Sequence, residues 1–203
     1  MNPSGKKLMT VFSHPDDAET WSGGTIAKWN SLGGESLITC YSEEETREAE
    51  AKAGAKVLGA SFITLLSVES VMTEIENFKP DLLITHHCKD SHPEHREVFQ
   101  LVSEATVHSK IALGKPQMIL SASSYNDVLL DGIFEPNVYV DIGEFMPIKI
   151  QAIKEHTSQP IGMWTDMVKV QNKSTGLKLS GAKYAEGFVE VPILGKLFNK
   201  SLF

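Results

Sequence analysis

Two short clusters of histidine and acidic residues contain the side chains best suited to chemistry. They comprise His14, Asp16 and Asp17 in "SHPDDAET", and His92 and His95 in "THHCKDSHPEH". Two imidazoles and one carboxylate are a common ligand set of catalytic zinc, which keeps a further position open for water. Water bound in this way is acidic enough to attack a carbonyl group at neutral pH. The clusters therefore predict metal-assisted hydrolysis, provided that the fold brings them together.

The adjacent aspartates of the first cluster repel each other unless they have different tasks. His14 and Asp17 are three residues apart, so a turn can fold both onto one ion. Asp16 then points elsewhere and is free to accept a proton from the water. The alternative is an ordinary turn in which the aspartates cap a helix.

The second cluster begins a helix, because Pro93 suits the first helical position. The positive end of the helix dipole disfavours a charged imidazole, which suits His95 as a neutral ligand. The dipole opposes His92 as a charged acid, so a neighbouring carboxylate, Asp90 or Glu94, would have to offset it. The alternative is an exposed helix start without any ligand.

Three residues lie just before the second cluster. His86 and His87 end a buried strand, so we expect one to be a packed or hydrogen-bonded core histidine, while the other is a candidate for the wall of the site. Cys88 is a soft ligand, but the nitrogen and oxygen donors already complete a set. We therefore expect no ligand role for Cys88.

Apolar runs that alternate with amphipathic segments position these clusters. The runs predict strands at 7–13, 35–42, 61–66, 81–87 and 117–123, and the intervening segments predict helices at 23–33, 42–60, 69–80 and 93–110. This order indicates an α/β fold with a Rossmann-like, doubly wound and mostly parallel sheet flanked by helices. In the commonest strand order, the first and fourth strands flank the point where the order reverses, which is where ligands bind. We therefore expect the two clusters to converge there.

The pattern is less regular after residue 125. It predicts strands at 137–143 and 188–193, a helix at 145–156 and a C-terminal helix at 195–203. No linker or repeat divides the chain, so we expect a single domain over residues 1–203, with its core at about 7–192.

The composition is that of an ordinary globular chain of 203 residues, with 41% hydrophobic and 22% charged residues. The net charge of −7 argues against nucleic-acid binding and leaves neutral or cationic small molecules as substrates. Two cysteines are too few for a disulfide framework and indicate a reducing compartment. Neither a signal peptide nor a membrane span is predicted, so we expect a cytoplasmic protein. The sequence leaves open whether the chain forms a homo-oligomer.

Several motifs follow one another in a specific order. They are "HPDDAE", "GGTIA", "TREAEAKAGAKVLG" and "DLLITHH" with "HPEHR". Two weaker motifs, "KIQAIKEHTSQ" (149–159) and "AEGFVEV" (185–191), come later. Over about residues 7–192, this order resembles the PIG-L/LmbE-like family of zinc-dependent N-acetylglucosaminyl deacetylases.

The resemblance implies a role for each matching residue. The zinc ligands would be His14, Asp17 and His95. Asp16 would be the general base, and His92 would stabilise the tetrahedral intermediate or protonate the leaving amine. Arg47 would contact the substrate, and His156, Ser158 and Gln159 would line the pocket or order its wall. Ferrous iron is an alternative to zinc, because two histidines and a carboxylate suit both metals.

One position departs from the family pattern. Glu94 stands where the family most often has aspartate, and its additional methylene is expected to shift or remove a hydrogen bond toward His92. The family also often places a tyrosine near the oxyanion. Tyr125 and Tyr139 are the two candidates in this chain.

The expected activity is hydrolysis of an N-acetyl group on an amino sugar or glycoconjugate. Two alternatives stay open: an amidase for another small N-acyl or thiol-conjugate substrate, and a metal-binding homologue with weak catalysis. Residues 124–137 are expected to shape the pocket that separates such substrates. A nucleotide-binding protein is disfavoured, because no glycine-rich phosphate loop follows the first strand.

Overall fold

The computed structural model describes residues 1–41, 44–65 and 67–195. Its strands are β1 (Lys7–Phe12), β2 (Glu35–Cys40), β3 (Ser61–Thr64), β4 (Leu82–Thr85), β5 (Met118–Ala122), β6 (Val128–Leu129), β7 (Gly132–Ile133), β8 (Val138–Asp141) and β9 (Ala185–Val191). Its helices are α1 (Asp17–Ser31), α2 (Glu45–Leu58), α3 (Val68–Phe78), α4 (Pro93–Leu113), α5 (Met146–Lys154) and α6 (Ile161–Lys178).

Seven of these strands form one sheet in the order β3-β2-β1-β4-β5-β9-β8. Strands β1 to β5 pair in parallel, whereas β9 runs antiparallel to both β5 and β8. The order reverses between β1 and β4, which are direct neighbours with Leu8 opposite Leu82 and Val11 opposite Thr85. The predicted α/β class and the predicted position of the reversal are both confirmed.

Both faces of the sheet are covered, as a parallel sheet requires. Along β1, Leu8 and Phe12 point into one core cluster, while Met9 and Val11 point into a second one on the opposite face. Helices α1, α2 and α5 pack together, and α3 packs on α4. The alternating side chains of β1 therefore contribute to the apolar core on both faces of the sheet, under both layers of helices.

The structure corrects the predicted elements in three places. Helix α1 begins at Asp17 instead of residue 23, so the acidic end of the first cluster is already helical. Helix α6 was not predicted, although Pro160 before it is a typical helix start. Strand β9 begins at Ala185, three residues before the predicted start. Most of the predicted C-terminal helix, residues 196–203, lies outside the described residues.

A buried carboxylate fastens the middle of α1 to β9. Glu186 accepts hydrogen bonds from the backbone N–H groups of Gly24 and Thr25 at 2.9 and 2.7 Å. Lys149 Nζ on α5 donates to the same carboxylate at 2.7 Å, and both charged side chains are buried. A buried ion pair is tolerated only when its remaining bonds are also satisfied, as they are here for Glu186.

Glycine at position 24 allows α1 to approach the segment that follows β8. A Cβ atom built on Gly24 would lie 2.7 Å from the side chain of Ile142, which is fully buried. Gly24 therefore serves close packing inside the helix. No helix among the described residues is long and apolar enough to cross a membrane.

We expect Gly24→Ala to destabilise the protein. The clash with Ile142 should cost about 1–3 kcal/mol and outweigh the roughly 1 kcal/mol that alanine gains over glycine in a helix. Gly162→Ala in α6 is the matched control, because nothing lies within 4 Å of its added Cβ. Denaturant unfolding should show lower stability for Gly24→Ala only; equal stability of both variants would contradict this packing argument.

Candidate metal centre and active site

The two clusters meet at the carboxyl ends of β1 and β4. His14 Nδ1 lies 3.1 Å from Asp17 Oδ2 and 3.2 Å from His95 Nε2, and His95 Nε2 lies 3.6 Å from Asp17 Oδ2. These three atoms form a triangle of donors contributed by the β1–α1 turn and by α4. The convergence expected from the strand order is thus present in the structure.

The triangle has the dimensions of a metal site. A tetrahedral zinc ion with bonds of about 2.0–2.1 Å holds its ligand atoms roughly 3.3–3.4 Å apart. The observed separations of 3.1, 3.2 and 3.6 Å scatter around that value. The donor chemistry, two imidazole nitrogens and a carboxylate oxygen, also suits zinc or ferrous iron.

Asp17 is held rigidly as the first residue of α1. Its Oδ2 accepts the backbone N–H of His14 at 2.7 Å, and its Oδ1 accepts Trp21 Nε1–H at 2.9 Å. Trp21 lies one helical turn after Asp17, so the bond follows from the i,i+4 spacing on α1. This role of Trp21 was not predicted, although the i,i+4 spacing offered a signal for it.

His95 is oriented by a second carboxylate, Asp90. His95 Nδ1 lies 2.9 Å from Asp90 Oδ2, and both residues are fully buried. Asp90 Oδ1 also accepts the hydroxyl of Ser124 at 2.9 Å and the backbone N–H of His92 at 2.8 Å. When a carboxylate bonds one ring nitrogen of a histidine, here the outer nitrogen Nδ1, the inner nitrogen that faces the triangle, here Nε2, is left free to bind metal. Asp90 was expected only as a partner of His92, so its bond to His95 is an additional role.

The electrostatics favour a positive charge at the donor triangle. Burial opposes a charged ring at His14, but the hydrogen bond and charge of Asp17, with a further bond to Glu94, raise the pKa of His14 to about 9. Burial also opposes the charged form of Asp17, but the imidazoles of His86, His95 and His14 hold its pKa well below the usual range. The site therefore attracts a proton or a cation.

The side chain of Asp16 bonds a residue outside the triangle. Asp16 occupies the position before α1, but its side chain makes no capping hydrogen bond. Its Oδ1 instead accepts Arg47 Nη2–H from α2 at 3.2 Å. Burial and the charge of Asp17 raise the pKa of Asp16 to about 6, against the lowering effect of Arg47. The capping alternative does not describe this side chain.

The hydrogen bond toward His92 that Glu94 was expected to shift or lose is absent from the structure. Neither candidate carboxylate bonds the ring of His92: Asp90 accepts the His92 backbone N–H, and Glu94 Oε2 lies 2.7 Å from His14 Nε2. Within the described part of the chain, His92 Nδ1 is buried without a hydrogen-bond partner. The ring centroid of His92 lies 5.0 Å from that of His14 and 4.6 Å from that of His95. An unpaired polar atom thus borders the donor triangle.

His86 lies closer to the donor triangle than its expected role as a core histidine suggested. Its ring stacks on His95 with the centroids 3.7 Å apart, and its Nε2 lies 3.3 Å from Asp17 Oδ2. That nitrogen already accepts the backbone N–H of Ser13 at 2.9 Å, so its lone pair is committed. Burial lowers the pKa of His86 to about 4, which agrees with a neutral ring that supports His95.

The neighbouring His87 and Cys88 lie further out. His87 Nδ1 accepts the backbone N–H of Lys89 at 3.1 Å, and its ring meets Phe134 edge-on. Cys88 is an exposed free thiol. Neither residue belongs to the two groups of candidate metal ligands among the described residues, which are His14, His92 and His95, and Asp17, His86 and His95.

The predicted substrate-binding residues occupy different environments. Arg47 lies at the site, on Asp16. His156 is fully buried, with its Nε2 3.6 Å from Glu19 Oε2, so it has no surface to offer a substrate. Gln159 is half-buried and donates to Ser158 Oγ, which in turn donates to Glu50 on α2. The segment around His156 thus forms a wall behind α1 and α2.

Of the two candidate tyrosines, Tyr125 is the one near the donor triangle. Its ring centroid lies 6.0 Å from that of His95 and 5.2 Å from that of Trp21. Burial, together with the charges of nearby aspartates, raises the pKa of Tyr125, so its hydroxyl keeps its proton. Tyr139 belongs to β8 at the edge of the sheet, three strands away from β4.

Comparison with known proteins agrees with this geometry. A family model described as PIG-L, GlcNAc-PI de-N-acetylase, matches residues 9–106, which include both clusters. The chain is 25% identical to the diacetylchitobiose deacetylase of Thermococcus kodakarensis over 224 residues, covering 92% of this chain and 84% of that protein.

Solved structures share the fold. The 4-carboxy-2-hydroxymuconate hydratase GalB from Pseudomonas putida KT2440 superimposes with a TM-score of 0.80 at 18% identity, covering 98% of this chain and all (100%) of that one. The N,N'-diacetylchitobiose deacetylase from Pyrococcus horikoshii gives 0.74 at 23% identity, with 98% and 87% covered. At these identities the two structures establish a common fold, and their different activities show that the fold alone does not determine the reaction.

The family match spans the β1–α1 turn, Arg47 and the start of α4, which together build the donor triangle and its surroundings. The predicted resemblance is therefore confirmed: the chain matches the PIG-L family model over residues 9–106, just under half of its length.

Proposed function

We propose that this protein is a metal-dependent hydrolase that removes the N-acetyl group of an amino sugar. The observation that carries the proposal is the donor triangle of His14, Asp17 and His95, with the carboxylate of Asp16 beside it and outside it. The deacetylase named among the curated relatives supports the same reaction. An amidase for another small N-acyl or thiol-conjugate substrate is the alternative.

The residues of the triangle would hold zinc, or ferrous iron in its place. When bound there, the metal would polarise the acetyl carbonyl and make water acidic enough to react at neutral pH. Asp90 and Glu94 would keep the outer nitrogens of His95 and His14 as hydrogen-bond donors, so that the inner nitrogens face the ion.

Asp16 is proposed to move the proton. Its carboxylate would accept a proton from water as the water oxygen attacks the carbonyl carbon, and would return that proton to the nitrogen as the C–N bond breaks. Arg47 holds the carboxylate in place through the bond to Oδ1. The products would be acetic acid and the free amine; the proton of the acid then passes to the amine, which gives acetate and an ammonium ion with no net change in protons on the protein.

His92 is proposed to donate a hydrogen bond to the oxyanion of the intermediate. Its buried Nδ1 has no partner among the described residues, which suits a bond that forms only during the reaction. Since neither Asp90 nor Glu94 bonds the ring, we assign the proton transfer to Asp16. The hydroxyl of Tyr125 is the second candidate donor at this position.

Other roles also stay proposals. Arg47 would contact the sugar, while His156 and Gln159 would order the wall, because one is buried and the other bonds its neighbour. A cytoplasmic location agrees with the free thiols of Cys40 and Cys88. Both Asp16 and His92 are present at the site, which argues against a homologue without catalysis.

We expect Asp16→Asn to lower kcat for acetate release by about 10²- to 10⁴-fold, because the base is lost. Metal content should stay unchanged, since Asp16 is outside the donor triangle. Asp166→Asn on the exposed surface of α6 is the control and should retain full activity. Undiminished activity of Asp16→Asn would show that another group moves the proton.

Metal removal provides a separate test. Dialysis against a chelator should abolish acetate release from N-acetylglucosamine derivatives, and Zn²⁺ should restore it at about one ion per chain. The His95→Ala variant should not regain activity when Zn²⁺ is added, because one of the three proposed ligands is missing. Persistent activity in the metal-free protein would overturn the proposed function.

Asp90→Ala should weaken metal binding although every ligand is still present. Loss of an outer carboxylate typically lowers metal affinity about 10- to 100-fold. Competition with a chromophoric chelator measures this affinity without any substrate, and Asp166→Ala is the control. Unchanged affinity would mean that the bond from His95 to Asp90 does not orient the ligand.

A further inference from the structure

A short turn of the chain after β5, residues 124–127, carries Tyr125 to the donor triangle. We call this segment the tyrosine turn. The ring of Tyr125 lies against His95 and Trp21, with centroid distances of 6.0 and 5.2 Å. His95 is a member of the triangle, and Trp21 donates a hydrogen bond to Asp17, which is another member. The position of the Tyr125 hydroxyl therefore depends on the backbone of this turn.

The backbone of the tyrosine turn has an uncommon conformation. Asn126 and Asp127 are both left-handed, with φ angles of 55° and 58°. Asparagine and aspartate tolerate this region better than most other side chains do. Two such residues in succession nevertheless persist only where the surrounding structure holds them. The turn therefore depends on contacts from outside its own four residues.

The side chain of Gln171 on α6 provides such contacts. Its Nε2 donates to the backbone oxygen of Ser124 at 2.9 Å and to Asp127 Oδ1 at 3.1 Å, at the two ends of the turn. Both partners are acceptors, so the amide nitrogen must face the turn. Ser123 Oγ also donates to Asp127 Oδ1, but it belongs to the segment that enters the turn. Gln171, which is only 8% exposed, thus ties both ends of the turn to α6.

The tyrosine turn also touches the residues that orient the metal ligands. The hydroxyl of Ser124 donates to Asp90 Oδ1 at 2.9 Å, and Asp90 Oδ2 bonds His95. Asp90 Oδ1 additionally accepts the backbone N–H of His92, so its orientation has support that is independent of the turn. We therefore expect Gln171 to act on Tyr125 and to leave metal binding intact.

We propose that Gln171 is a positioning residue, which holds the tyrosine turn so that the hydroxyl of Tyr125 donates a hydrogen bond to the oxyanion beside His92. The inference rests on the proposed function, in which Tyr125 is a candidate donor. A donor stabilises an oxyanion most when it is already in place, because no reorganisation is then needed during the reaction. A displacement of about 1 Å can lower the rate by roughly 10²-fold. Contacts that fix the turn are therefore contacts that fix the rate.

Gln171→Met tests the proposal, since it removes the amide donor and keeps the length of the side chain. In the metal-loaded protein we expect kcat for acetate release from N-acetylglucosamine derivatives to fall by about 10- to 100-fold. KM should change little, because the oxyanion forms only on the way to the products. Thr175→Val is the matched control: Thr175 lies one turn further along α6 and is 7% exposed. This control should retain wild-type kcat.

A double-mutant cycle shows whether Gln171 acts through Tyr125. Tyr125→Phe removes the hydroxyl, so Gln171→Met should lower kcat by less than about twofold in that background. Partial unfolding would instead lower kcat by the same factor in both backgrounds, and equal factors would overturn the proposal. Weaker metal binding by Gln171→Met, measured by chelator competition, would mean that Gln171 acts through Asp90. If Gln171→Met does not fold, the isosteric Gln171→Glu takes its place in the cycle.

The environment of Tyr125 can also be followed without turnover. The chain contains four tyrosines, which can be labelled as 3-fluorotyrosine, and Tyr125→Phe identifies the ¹⁹F resonance of Tyr125. We expect Gln171→Met to shift or broaden this resonance alone, while Thr175→Val leaves the whole spectrum unchanged. An unchanged Tyr125 resonance in Gln171→Met would contradict the proposal. If wild-type protein releases no acetate, the proposed function fails, and the spectrum still decides whether Gln171 positions Tyr125.

Discussion

The direct pairing of β1 with β4 is the constraint on which the site depends. Each strand ends in a cluster of polar residues, and parallel neighbours deliver their carboxyl ends to the same edge of the sheet. Because the strand order reverses between them, no helix crosses over this edge and a crevice is left open. The donor triangle is therefore a consequence of topology before it is a consequence of any single side chain.

Burial shifts the pKa values of the side chains at the site, and it also makes charges there costly for the stability of the fold. Asp16, Asp17, Asp90 and His95 all lie almost fully inside the protein, where an unpaired charge would be strongly destabilising. Asp17 and Asp90 are each surrounded by hydrogen-bond donors, whereas the donor triangle gathers groups that favour a cation. A bound metal would thus stabilise the folded chain as well as serve the reaction, since it binds only where the triangle has formed.

Sequence reasoning succeeded where local rules decide the outcome. The alternation of strands and helices, the strand ends and the spacing of His14 from Asp17 are local properties, and they predicted both the fold class and the members of the triangle. It failed where side-chain direction depends on packing. The stacking of His86 on His95 and the bond from Glu94 to His14 arise from contacts between distant segments, which no spacing along the chain encodes. The resemblance to a family also suggested a role for His156 without showing that α1 would bury it.

The anchoring of α1 has a consequence for how this protein can change during evolution. Glu186 accepts hydrogen bonds from the backbone of the helix at Gly24 and Thr25, while Asp17 begins the helix two turns earlier. One inserted residue between these points would rotate Asp17 by about 100° around the helix axis and carry its carboxylate away from the two histidines. The first two turns of α1 therefore fix the distance and the rotation between the anchor at Glu186 and the carboxylate of Asp17 in the donor triangle.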